Sequence, residues 1–298
     1  MGSRDQSAAR CFRTAALTHY RQFAAIDWSG AKGRRHKGIA LAVCNAGSEA
    51  PRLVAPPGGA WSRTQILDWL LDHADAPLLV GIDCSFSAPF VARGAHLPGE
   101  TETTSAAELW AYVDAHSDDE DLGAASFLEQ RRGRHFYLGA ADGHKRDFLH
   151  WRACEIANDG ATKPTTVYDA IGAAQVAKAS FAGMRLLHRL SGRVPVWPFD
   201  PLPTSGATLV EIYTAIAARA AGMPRGRSKL RDAAALDAAL TTIGSAPHKP
   251  LARYDDHATD AILSAAWLRA NADRAELWQP PGLTADVRRT EGWTFGVA

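Results

Sequence analysis

The chain has 298 residues, 46% hydrophobic and 22% charged, which is ample material for one large α/β unit. A formal net charge of +1 supplies no global field to draw in nucleic acid, so such a partner would have to be met by local basic patches. Four scattered cysteines without a Cys-x-x-Cys pair argue against a disulfide framework or zinc knuckle, and no run reaches the roughly 18–20 apolar residues of a membrane span; a cytoplasmic protein with free thiols is expected.

Residues 1–22 carry Arg4, Arg10, Arg13 and Arg21 against the single acid Asp5 and lack the apolar stretch of a secretory signal, which predicts a flexible leader. Three strands follow, over 23–28, 38–44 and 52–55, with turns at Ser29-Gly30 and Asn45-Ala46-Gly47 short enough for an antiparallel meander. Ser62 or Thr64 can cap a helix running to about residue 73, whose Ile66, Leu67, Trp69, Leu70 and Leu71 form a broad apolar face. Residues 78–83 are apolar until the closing acid and predict a fully buried strand.

The stretch 85–166 reads as a helical and loop insertion after that fourth strand, with helices near 106–116 and 124–132. Beyond it the pattern predicts a helix over 176–190, strands over 194–197 and 208–213, helices over 214–221, 229–243 and 256–272, and a C-terminal tail from 273. The whole of 23–298 is expected to form a single domain.

Two of the strands stop at a lone carboxylate. Asp27 closes Phe23-Ala24-Ala25-Ile26, and Asp83 closes Leu78-Leu79-Val80-Gly81-Ile82. Asp256 and Asp260 open the last helix one turn apart, hence on one face. Like charges so placed repel by about 0.2–0.5 kcal/mol, a cost that a bound cation turns into attraction. A fold that brings acids on strand ends together with acids on a helix is equipped for divalent metal, which points to phosphodiester chemistry. Glu211, alone in the apolar run Thr208-Leu209-Val210-Glu211-Ile212-Tyr213, needs either a metal or an ion-pair partner.

Simpler roles stand beside these. Asp27 can close a turn, Asp83 can cap one, Asp255 or Asp256 can cap the helix, and Glu211 can pair with an arginine such as Arg231. His257 is expected to face outward or to support a ligand rather than ligate. Arg131, Arg132 and Arg134, interleaved with His135, Phe136 and Tyr137, suit the phosphates and unstacked bases of single-stranded nucleic acid, or form a solvated surface over a core. Arg227 and Lys229 make a second basic cluster beside Gly226.

The element order resembles the ribonuclease H-like fold. More narrowly, Ala25-Ile26-Asp27-Trp28-Ser29-Gly30, Gly81-Ile82-Asp83, Val210-Glu211-Ile212-Tyr213 and Asp260-Ala261 are similar to a family of predicted nucleases with that fold, domain-of-unknown-function group 429, over roughly residues 23–272. The resemblance implies a mixed sheet, three antiparallel strands and then parallel ones, flanked by helices, with the acids meeting at one end. It implies a nuclease using two Mg²⁺ or Mn²⁺ ions about 3.5–4 Å apart. Asp27 would bridge both, Asp83 would hold one, and Asp256 or Asp260 the other. In the resolvase branch of that fold the two helix acids stand three apart, whereas here they stand four apart, and Thr214 occupies a position where the family often has proline.

Two rival readings remain. A non-catalytic scaffold would use the acids as caps. A phosphotransferase of the actin, Hsp70 and sugar-kinase type would need a second Asp-x-Gly phosphate turn, yet Asp142-Gly143 and Asp159-Gly160 follow no apolar strand.

Overall fold

The computed structural model describes residues 19–158, 165–171, 176–224 and 229–298. Its centre is a six-stranded sheet. Strand β1 (Gln22–Asp27) buries every residue after Gln22, as a strand covered on both faces must. It pairs antiparallel with β2 (Ala40–Asn45), which pairs antiparallel with β3 (Arg52–Leu53). On its other side β1 runs parallel to β4 (Leu78–Ile82). Beyond them lie β6 (Thr208–Glu211) and the edge strand β5 (Val196–Trp197), both parallel to β4, giving the order β3-β2-β1-β4-β6-β5. The expected antiparallel meander followed by parallel strands is therefore present.

Parallel neighbours require a crossover. Between β1 and β4 it is completed by helix α1 (Arg63–Asp72), which Ser62 caps in a reciprocal capping box with Gln65. The inserted stretch contributes α2 (Ala106–Ala115), α3 (Ala125–Gln130) and the unanticipated short α4 (Ala153–Ala157). Its acidic run serves α1: the Asp121 carboxylate accepts from the backbone N–H groups of Arg63 and Thr64 and from His36. Helices α5 (Val176–Leu190), α6 (Thr214–Ala220), α7 (Ala233–Thr242) and α8 (Asp256–Asn271) follow near their expected places.

One boundary differs with consequence. Asp232 accepts from Ala235 N–H and starts α7 at Ala233, so Lys229 lies in the preceding loop rather than in the helix. The C-terminal stretch, read as a tail, forms α9 (Ala275–Trp278) and α10 (Ala285–Thr290) and then returns to the sheet. Phe295 N–H donates to the Glu211 carbonyl at 2.8 Å, and Trp293, Phe295 and Val297 are buried.

Side chains alternate across the sheet. Ala24, Ile26, Val80, Ile82 and Leu209 share one apolar layer with Phe181, Met184 and Leu187 of α5. Phe23, Ala25, Leu79 and Val210 share the other with Ala261, Ile262 and Ala265 of α8. The C-terminal ends of β1, β4 and β6 fall at one sheet edge because Ile26 registers with Ile82 and Ile82 with Glu211. Among the described residues, no helix is long and apolar enough to cross a membrane.

A candidate acidic site at the sheet edge

Asp27 is the last residue of β1 and, by alternation from Phe23 and Ala25, faces α8. The chain beyond it is pinned to α5: Trp28 Nε1–H donates to the Ala179 carbonyl at 3.0 Å. Asp27 is 8% exposed and accepts from His257 Nδ1–H at 2.5 Å. Burial raises its pKa against the pull of that hydrogen bond, while the same bond raises His257.

Asp83 directly follows β4 on the same face as Leu79, the register partner of Phe23. Among the described residues, its carboxylate is bonded by the N–H of Thr214 at 3.4 Å and the Thr214 hydroxyl at 3.3 Å. Burial, and after it the negative charges of Asp27 and Asp260, push Asp83 up to about 8.

The helix acids arrive through a capped N-terminus. Asp255 accepts from Ala258 N–H at 3.0 Å, so Asp255 is the cap and Asp256 and Asp260 remain free for other partners. Asp260 pairs with Lys229 Nζ at 2.9 Å, and burial raises it to about 6 despite that ammonium. Asp256 lies 2.9 Å from Arg231 Nη1 and 3.6 Å from Lys229 Nζ. Asp27, Asp83, Thr214, Lys229, Asp256, His257 and Asp260, with Tyr213, line one cavity of about 620 Å³, a volume typical of small-molecule sites.

Glu211 and Arg152 line the same cavity, but the Glu211 carboxylate is already taken. By alternation it shares the face of Leu209 and Ile82, and Arg152 takes both its carboxylate oxygens, at 2.7 and 2.5 Å. Phe86 N–H and the Thr294 hydroxyl also donate to it, at 2.7 and 2.6 Å. The metal-ligand role expected of Glu211 is thus replaced by an ion pair, with Arg152 rather than Arg231 as its partner.

The basic residues expected to hold substrate also scatter. Arg131 is buried, bonds Glu100 and lies 3.8 Å over the Phe127 ring. Arg132 pairs with Asp142 at 2.5 Å, and Arg134 donates to the Gly99 carbonyl. None of the three lines the cavity. Arg227 lies outside the described residues, and Lys229 turns to the acids. Sequence reasoning missed the pairing of Arg152 with Glu211; His257, expected to face outward or support a ligand, supports Asp27, a partner the sequence did not name.

Among the described residues, no group of three or more His, Cys, Asp or Glu side chains is placed so that it could hold a metal ion. His257 and Lys229 instead engage Asp27 and Asp260 from the sides. In donor type alone the cavity suits a hard cation: the carboxyl groups of Asp27, Asp83 and Asp260 offer oxygen only, and Asp83 is weakly engaged beside the cavity. No family model matches the chain, and no curated protein or solved structure matches it either.

Proposed function

We propose that this chain is a divalent-metal-dependent phosphodiester hydrolase of the ribonuclease H-like type, acting on nucleic acid. The observation that carries the reading is that Asp27, Asp83 and Asp260, from three remote segments, line one cavity and act electrostatically on one another. Burying like charges together is costly unless a cation is to be received. The sheet order, with the acids at the C-terminal ends of β1 and β4, agrees with the resemblance read from the sequence.

Mg²⁺ or Mn²⁺ held there would lower the pKa of a bound water and offset charge developing at phosphorus. The chain's own part is to hold the donors. Asp27 is oriented by His257, while Trp28 fixes the turn behind it; Asp83 presents its oxygens beside Thr214; Asp260 is presented by the second turn of α8.

The test is Mn²⁺ titration by calorimetry together with cleavage of labelled DNA and RNA oligonucleotides. Metal binding and metal-dependent cleavage in the wild-type chain, both lost in Asp27→Asn and Asp83→Asn, support the reading. Absence of Mn²⁺ binding by the folded wild-type chain overturns it.

A further inference from the structure

Lys229 places a fixed positive charge where the two-ion expectation puts metal. Its position is built in: Leu230 is buried, and Thr259 of α8 donates its hydroxyl to the Leu230 carbonyl at 3.4 Å, which ties the loop to the helix carrying Asp260. From there the ammonium reaches Asp260 at 2.9 Å and Asp256 at 3.6 Å, and its charge also acts on Asp27. Arg231 takes Asp256 at 2.9 Å. Among the described residues Asp83 has no such cation; its carboxylate meets the Thr214 N–H and hydroxyl.

Among the described residues, Lys229 and Arg231 already engage Asp260 and Asp256, His257 bonds Asp27 from one side, and Asp83 is met by Thr214, so Asp27 and Asp83 are the acids left for a divalent ion. A second divalent ion would have to displace the ammonium from Asp260. We propose that Lys229 takes the place of a second metal: the site binds a single divalent ion at Asp27 and Asp83, and the Lys229 ammonium is the other positive charge facing the substrate phosphate. A lysine suits that part because it is a compact point charge with rotatable donors. This rests on the metal-dependent reading above.

The experiment is Mn²⁺ titration into the full chain by calorimetry, with electron paramagnetic resonance of the loaded protein. Wild type and Lys229→Arg are expected to bind one ion per chain with an uncoupled hyperfine spectrum. Lys229→Met is expected to admit a second ion and to show the broadened spectrum of a coupled pair. Two coupled ions in wild type would overturn the inference and leave the metal-dependent reading standing, as would a single ion in folded Lys229→Met. No bound ion in any of the three would overturn both. Because the wild-type spectrum alone separates one ion from a coupled pair, the test does not depend on the methionine variant folding.

Discussion

Arg152 and Glu211 form a bidentate ion pair with side chains 1% and 4% exposed. Arg152 also holds Glu155 at 2.9 Å. Removing one partner of such a pair leaves the other charge buried alone, at a cost of about 3–5 kcal/mol. Glu211→Gln is therefore expected to lower stability in urea by that order while its Mn²⁺ stoichiometry stays that of wild type. Unchanged stability with lost metal binding would make Glu211 a ligand after all.

Asp83 connects the site to pH. Its carboxyl is pushed up to about 8 in the folded chain, first by burial and then by Asp27 and Asp260, from an ordinary value of 3.8. Between those values the folded state keeps a proton that the unfolded state has released. The associated stability is full below about pH 4 and is lost as pH rises toward 8. Metal-free Asp83→Asn should escape this decline. Its stability relative to wild type should grow from pH 4 to pH 8 in denaturant titrations; a difference that is flat with pH would refute the assignment.

Arg131 is a structural residue wearing the appearance of a phosphate contact. Its guanidinium packs on Phe127, donates to the Phe127 carbonyl at 3.1 Å and neutralises Glu100. Arg131→Ala should cost about 2 kcal/mol through lost packing on Phe127 and the lost ion pair, Glu100 keeping His135 and the Tyr112 hydroxyl. The salt dependence of any nucleic-acid binding should keep its slope. A slope reduced by about one, measured by fluorescence titration against salt, would put Arg131 on a phosphate.

The strands and their acids were legible because an apolar run closed by one carboxylate is a local signal. Asp27 and Asp83 were found in that way, and Asp256 and Asp260 by their one-turn spacing at the start of α8. The partners were not legible, since they are set by distant segments: Arg152 is 59 residues from Glu211, and His257 is 230 from Asp27. Glu211 shows the physical limit most plainly. A charge in a buried strand announces that it needs a partner, but only the register of β6 on β4 reveals that it points to the opposite face from Asp83. The apolar pattern predicts the helix from 229, yet Asp232 caps it and leaves Lys229 in the loop before it; an acid before an alanine run is itself a start signal. The alternation of Trp293, Phe295 and Val297 likewise carried the buried return of the C-terminus.

Gly30 gives a test of how tightly the Asp27 turn must be held. A Cβ at Gly30 would lie 2.2 Å from the Ala179 nitrogen and 2.3 Å from the Lys178 carbonyl carbon, and this is helix backbone that cannot swing aside. The Trp28–Ala179 hydrogen bond anchors the same contact, so relief must come by shifting α5 or the segment that follows Asp27. Gly30→Ala is expected to cost about 1–3 kcal/mol by overpacking and to weaken Mn²⁺ binding by moving Asp27. Gly33 is the control, because it has φ of +101° and nothing within 4 Å of an added Cβ. Gly33→Ala should lose about 1–2 kcal/mol to left-handed backbone strain alone and bind Mn²⁺ like wild type. Urea unfolding and calorimetry on both variants decide the matter: equal metal affinities would mean that the contact with α5 stabilises the fold without positioning the acid.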